Sequence, residues 1–155
     1  MLAVAAMALV LGTPATVARI VDGDTAYFTS GAKVRLIQID TPERGECYGV
    51  AATAALSREL APGARVTLRV DLALDQTDRY GRLLRYVYRG SVNVNVRMVR
   101  LGHAAPYFYR GARGRWAPIL DRRVREARAA QRGLWQHCPG TRLDPTRGVN
   151  TGPVQ

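Results

Sequence analysis

Val17-Ala18-Arg19-Ile20-Val21, then Asp22-Gly23-Asp24, then Thr25-Ala26-Tyr27-Phe28-Thr29, then Ser30-Gly31, then Lys33-Val34-Arg35-Leu36-Ile37-Gln38-Ile39 follow one another almost without a break. The β-branched and aromatic runs read as strands, and the glycine in each junction permits a tight turn. Lys33 to Ile39 alternates enough to be a half-buried strand. Three consecutive short strands with tight connections predict a meander.

Beyond it, Gly49 precedes an alanine-rich helix over Val50 to Leu60, with Ala52, Leu56 and Leu60 four apart on one face and Pro62-Gly63 stopping it. Arg65 to Val70 reads as a fourth strand. After the polar turn Asp75 to Gly81, Leu83 to Tyr88 reads as the fifth. Asn95 is placed to cap a short helix through Leu101, and Ala117 to Arg132 forms the last helix, with Leu120, Val124 and Ala127 inward. Five strands with one helix before the fourth and two after the fifth predict an α+β fold, a five-stranded OB-type Greek-key β-barrel with three helices. Residues 1–15 read as an apolar leader, 16–138 as the folded domain, and 139–155, rich in Pro, Gly, Thr and Arg without periodicity, as a disordered tail.

With 155 residues the chain is one domain by length, and 47% apolar with 23% charged residues excludes a disordered chain. Its formal net charge is +11, and Lys33 is the sole lysine among 23 basic residues. Arginine presents a flat fork of donors matched to phosphate oxygens, which suits a polyanionic partner, although a GC-rich genome gives the same bias whatever the function. Binding to nucleic acid should then be salt-sensitive. A cationic envelope protein docking an arginine-rich helix on anionic lipid is a further reading, ranked lowest because that helix carries little exposed apolar bulk.

Met1 to Leu11 is an almost unbroken apolar run leading into small residues. It is too short to span a bilayer and reads as the core and cleavage region of a secretory signal, although no basic segment precedes it. The expected location is therefore secreted or cell envelope. Cys47 and Cys138 have no metal-type Cys-x-x-Cys spacing. Paired, they close a loop of about ninety residues, worth roughly 4 to 5 kcal/mol in the chain-entropy picture; two unpaired buried thiols are the alternative in a reducing compartment.

Residues 22 to 43 gather four of the 12 acidic side chains, Asp22, Asp24, Asp40 and Glu43, around Arg35. Hard divalent cations take carboxylate and carbonyl oxygens, so Asp24, Asp40 and the Thr41 carbonyl are candidate Ca2+ ligands. Each aspartate taken alone is more commonly a turn or capping residue. Glu43, restrained by Pro42, is a candidate general base, with loop capping as its structural alternative. Arg35 and Arg82 can bracket a phosphate. Tyr107-Phe108-Tyr109 lies near Arg110, Arg113 and Arg115, with the tyrosines as stacking faces for bases and Phe108 alternating into the core. His103 and His137 lack partners at ligand or triad spacing and read as structural or exposed. Trp116 and Trp135 read as packing around the last helix.

Asp-Gly-Asp-Thr at 22–25, Arg35-Leu36 with Asp40-Thr41-Pro42-Glu43, Thr77-Asp78-Arg79-Tyr80-Gly81-Arg82 and Val99-Arg100-Leu101-Gly102, in that order, resemble the thermonuclease family, the staphylococcal nuclease-like domain, from about Thr16 to Trp135. The resemblance implies a calcium-dependent phosphodiesterase that cuts DNA and RNA at the 5′ P–O bond, leaving 3′-phosphates, on single-stranded or frayed substrate and as a monomer. Asp24, Asp40 and Thr41 match the calcium ligands, with Asp22 beside them. Arg35, Glu43 and Arg82 match the catalytic trio. Arg79, Tyr80, Tyr107 and Tyr109 match substrate contacts. Two departures stand out: the segment from Arg44 to Tyr48 is shorter than the lysine-rich loop of the best-known member and holds Cys47, and Ala51 stands where that member has a glutamate. A non-catalytic OB-fold module that only binds nucleic acid is the alternative, and should have lost some of these positions.

Overall fold

The computed structural model describes residues 12–154. Most of the expected leader therefore lies outside the described residues. Strands β1 (Thr13–Ile20), β2 (Thr25–Phe28) and β3 (Lys33–Leu36) form the predicted antiparallel meander. β1 begins inside the stretch read as leader, because Thr13 to Ala15 pair with Leu68 to Val66 of β5 (Arg65–Arg69). An irregularity between Val17 and Arg19 bends β1, so that its first half pairs with β5 and its second half with β2. β6 (Leu83–Arg89) runs antiparallel to β5 and parallel to β3, which closes a five-stranded barrel of OB type. Closure buries Val17, Phe28, Val34, Leu36, Val66 and Val87 in one core.

The run from Lys33 to Ile39 is not one strand. β3 stops at Leu36, Gln38 takes a left-handed conformation at φ 66°, and the chain resumes as β4 (Ile39–Asp40). The turn is held because the Gln38 side chain is buried and doubly used: its Nε2 donates to Ala112 O at 3.1 Å and its Oε1 accepts from Gly114 N at 2.7 Å. Those bonds offset the unfavourable φ of a residue with a Cβ. β4 then pairs with β8 (Ala105–Pro106), not with the barrel.

Helix α1 (Gly49–Glu59) caps one end of the barrel through the predicted face, Ala52, Leu56 and Leu60, all fully buried. After the short β7 (Val92–Asn93), α2 (Val94–Arg100) is capped by Asn93, whose side chain accepts from Val96 N at 3.2 Å. Asn95 is not the cap. It is fully buried inside the helix, where it donates to Ile37 O at 2.9 Å and accepts from Val87 N at 3.0 Å, satisfying backbone groups at the β3 break and in β6. α3 (Ala117–Ala129) packs Leu120, Val124 and Ala127 inward as expected, and α4 (Leu134–His137) is one further turn. Phe108 and Trp135 are core residues, and Trp116 meets Tyr86 edge-on at 6.4 Å. His103 and His137 are structural neighbours of Tyr48: His103 Nδ1 lies 2.9 Å from Tyr48 Oη, and His137 is tilted against the same ring.

The stretch after Cys138 corrects the expectation of a disordered tail. β9 (Arg142–Asp144) and β10 (Gly148–Asn150) form an antiparallel hairpin, and Val149 joins the main core. Local composition cannot reveal this, because the hairpin gains its order from contacts with residues some hundred positions earlier. Cys47 and Cys138 are disulfide-bonded across a separation of 91 residues. Among the described residues no helix is long and apolar enough to cross a membrane.

Candidate active site

The two acidic turns meet. In the turn between β1 and β2, Asp24 N donates to Asp22 Oδ1 at 3.0 Å, which turns the Asp24 carboxylate inward. Asp24 Oδ2 accepts from Thr41 N at 3.1 Å and Thr41 Oγ1 at 3.0 Å, tying the first turn to the second. Arg35, one residue short of the β3 break, lies between the two carboxylates: its Nε is 3.2 Å from Asp24 Oδ1 and its Nη2 3.2 Å from Asp40 Oδ1. Its Nη1 donates to Leu36 O at 2.7 Å and Ile39 O at 2.8 Å, carbonyls freed by the kink at Gln38. Three of the five guanidinium N–H groups thus donate hydrogen bonds inside the protein, while Nε is ion-paired with Asp24.

Three carboxylates crowd this one guanidinium. Burial, with the neighbouring Asp24 charge, pushes Asp22 up to about 6. Burial likewise raises Asp40 to about 6, winning over the opposing pull of Arg35, with Asp24 and Glu43 adding to the rise. Arg35 keeps its charge despite burial because Asp24, Asp40 and Asp22 hold it there, above its ordinary value. The cluster is short of positive charge, and its donors are hard oxygens.

Arg35 also lines a cleft of about 610 Å³, whose wall includes Arg79, Tyr80, Arg82, Tyr107 and Tyr109. Asp78 builds the far wall. Its Oδ1 accepts from Tyr80 N at 2.9 Å and Arg82 N at 3.0 Å, and its Oδ2 takes Arg82 Nε at 2.6 Å. That turn aims Arg82 at the cleft and leaves its terminal nitrogens without a hydrogen-bond partner among the described residues. Tyr80, 68% exposed, lies under Arg79 at 4.8 Å and Arg82 at 5.5 Å. Tyr107 and Tyr109 meet edge-to-face at 6.3 Å, one half-buried and one exposed. Burial, with the nearby Asp40 charge, holds the Tyr107 hydroxyl above its usual range.

Glu43 is less enclosed. Its side chain is exposed and makes no hydrogen bond among the described residues, while its backbone is fixed: Glu43 N donates to Glu46 Oε2 at 3.0 Å and its carbonyl accepts from Glu46 N at 2.9 Å. A Cβ at Gly49 would fall 1.8 Å from Glu43 O, so glycine at the start of α1 lets the helix seat against this turn. Arg35, Arg82, Arg79 and the three tyrosines thus share one cleft; Asp24 and Asp40 pair with Arg35, Thr41 binds Asp24, and Glu43, outside the cleft lining, is close enough to Asp40 for its charge to be felt there. Among the described residues no group of three or more His, Cys, Asp or Glu stands at metal-holding distances.

Two residues that organise the site are given no role by the sequence. Asp78 sits inside a recognisable run, and its spacing of four before Arg82 is the one available signal. Gln38 has none, because both of its partners lie more than seventy residues away.

Comparison with known proteins identifies the family of the chain. The family model described as Staphylococcal nuclease homologue matches residues 33–137, a span that contains Arg35, Asp40, Glu43 and Arg82. An uncharacterized endonuclease of Escherichia coli O157:H7 is 38% identical over 123 residues, covering 77% of this chain and 74% of its own. A thermonuclease of Staphylococcus intermedius is 32% identical over 136 residues, covering 82% and 79%. Protein ParB of Escherichia coli is 35% identical over 154 residues, covering 86% and 82%. The chain belongs to the staphylococcal nuclease homologue family, and is a nuclease-type hydrolase.

Proposed function

We propose that this protein is an exported, calcium-dependent nuclease that hydrolyses DNA and RNA with little sequence preference. The observation that carries the reading is Arg35, ion-paired to both Asp24 and Asp40 while facing the cleft that Arg82 and the tyrosines line. The donor set suits calcium, since Asp24, Asp40 and the Thr41 carbonyl are hard oxygens beside a cluster with surplus negative charge; water would complete so small a ligand set. When bound there, calcium would add positive charge next to the scissile phosphate.

In this reading Arg35 and Arg82 hold the non-bridging oxygens of the phosphodiester and balance the charge that grows on them as water attacks. Glu43 accepts a proton from that water, the new P–O bond forms, the bond from phosphorus to the 5′ oxygen breaks, and the departing 5′ oxygen takes a proton from solvent. The products are a 3′-phosphate and a 5′-hydroxyl. Tyr80, Tyr107 and Tyr109 offer faces to unstacked bases, which favours single-stranded or frayed substrate, and Arg79 supports Tyr80. The disulfide is in keeping with an oxidising compartment and thus with export.

Denatured DNA incubated with calcium should be cut, and a chelator should abolish cutting; turnover that survives chelation would remove the metal from the reading. In the same assay Glu43→Gln, which keeps shape and loses the base, should lower kcat by about 10²- to 10⁴-fold with KM little changed. Wild-type kcat in that variant would deny Glu43 its role.

A further inference from the structure

The hairpin after Cys138 reaches the candidate site. Val149 N donates to Asp40 Oδ2 at 3.0 Å, while the other carboxylate oxygen takes Arg35 Nη2 at 3.2 Å. Asp40 is therefore held between a guanidinium from β3 and a backbone amide from β10. Gly148 precedes that amide at φ +102°, and a Cβ there would lie 2.4 Å from Asp40 Oδ2. Only a bare backbone can come so close. The hairpin is fastened elsewhere too: Thr151 Oγ1 donates to Cys47 O at 2.6 Å, Cys47 N donates to Gly152 O at 2.9 Å, and Pro145 O accepts from Phe108 N. The segment starts at Cys138, bonded to Cys47 by the disulfide, and its far end returns to the Cys47 backbone through Thr151 and Gly152.

We infer that the C-terminal hairpin is a positioning element of the site, its Gly148-Val149 backbone fixing the Asp40 carboxylate so that it accepts from Arg35 and turns its remaining lone pairs toward a divalent cation. The inference rests on the calcium reading above. A hairpin that only covered the core would need the side chains of Val149 and Leu143, which both pack there. It would not need an amide on a carboxylate, nor a glycine pressed against it. The hairpin also lies beyond residue 137, where the family match ends. Partners that orient a ligating group commonly change metal affinity or activity by about 10- to 100-fold when altered.

The test uses the full chain with wild-type, Gly148→Ala and Leu143→Ala proteins. Calcium binding is measured by isothermal titration on metal-free protein, and kcat and KM on denatured DNA. Gly148→Ala should weaken calcium affinity by about tenfold or more and lower kcat similarly, with KM for DNA within about twofold. Leu143→Ala, which loses packing but keeps the amide contact, should lower the unfolding temperature with calcium affinity within about twofold of wild type. Calcium affinity and kcat in Gly148→Ala equal to wild type would overturn the inference, as would losses in both variants that simply track stability. Should Gly148→Ala not fold, the amide resonance of Val149 decides: it should shift on calcium addition to the wild type and move in Asp40→Asn, and a resonance indifferent to both would overturn the inference. A wild-type protein that neither binds calcium nor needs it would sink the calcium reading by itself, leaving kcat of Gly148→Ala and the Asp40→Asn shift to judge the hairpin.

Discussion

Arg35→Ala is expected to lose about a thousandfold or more in kcat on denatured DNA and to be destabilised at neutral pH, the largest combined effect of any single change in the site. The activity loss follows from removing a phosphate-facing guanidinium. The stability loss follows from what stays behind, since Asp24 and Asp40 lose the cation that joins their carboxylates and two backbone carbonyls lose their donor. Breaking one side of a buried ion pair typically costs about 3 to 5 kcal/mol. The Asp40 carboxyl has an escape in protonation, and this gives the destabilisation a pH dependence. Asp40 titrates near 6 in the folded protein against an ordinary 3.8, so the folded state binds its proton more tightly and stability falls as pH rises from about 4 to about 6. Removing Arg35 takes away the largest influence that lowers this value, leaving only the Val149 amide on that side, so Asp40 should titrate higher still. Urea unfolding at pH 5 and pH 8 should therefore show a small loss at the lower pH and a large one at the higher. Equal losses at both would mean that the Asp24–Arg35–Asp40 contact does not govern local stability.

Arg82→Ala should bring a similar fall in kcat, about a thousandfold, with almost no change in unfolding temperature. The contrast with Arg35 comes from location. Arg82 is held by Asp78 at the cleft edge with its side chain 26% exposed, and partly solvated ion pairs of this kind contribute about 0 to 1 kcal/mol. The Asp78 bonds to Tyr80 N and Arg82 N survive the substitution, so the turn should keep its shape. Arg82→Lys should recover little, because a single ammonium cannot both engage Asp78 and present a planar fork to phosphate. Full kcat in Arg82→Ala would remove it from the reaction, and a fall in stability matching that of Arg35→Ala would recast it as structural.

Much of the fold and part of the site are legible because the determinants are local. The Asp22-Gly23-Asp24 and Ser30-Gly31 turns set the meander, the spacing of Ala52, Leu56 and Leu60 sets α1, and that of Leu120, Val124 and Ala127 sets α3. Asp24, Asp40, Arg35 and Arg82 stand out because each sits where a strand meets a turn. Where the reading fails, tertiary demands override local preference. A buried amide at Gln38 breaks an alternating strand, and Asn95 abandons the cap to satisfy buried backbone while Asn93 takes its place.

What sequence alone decides here is the set of short-range choices: strand, turn, helix face, and which side chains carry charge or bulk. Turn chemistry and periodicity act within a few residues and are written in order along the chain. What the folded structure decides is which of those side chains meet. The Val149 amide reaches Asp40 across 109 positions, Gln38 reaches Gly114 across 76, and Cys47 bonds Cys138 across 91. No local signal announces such contacts, because an unassigned amide, a glutamine or a cysteine acquires its role only when barrel closure brings a partner to it.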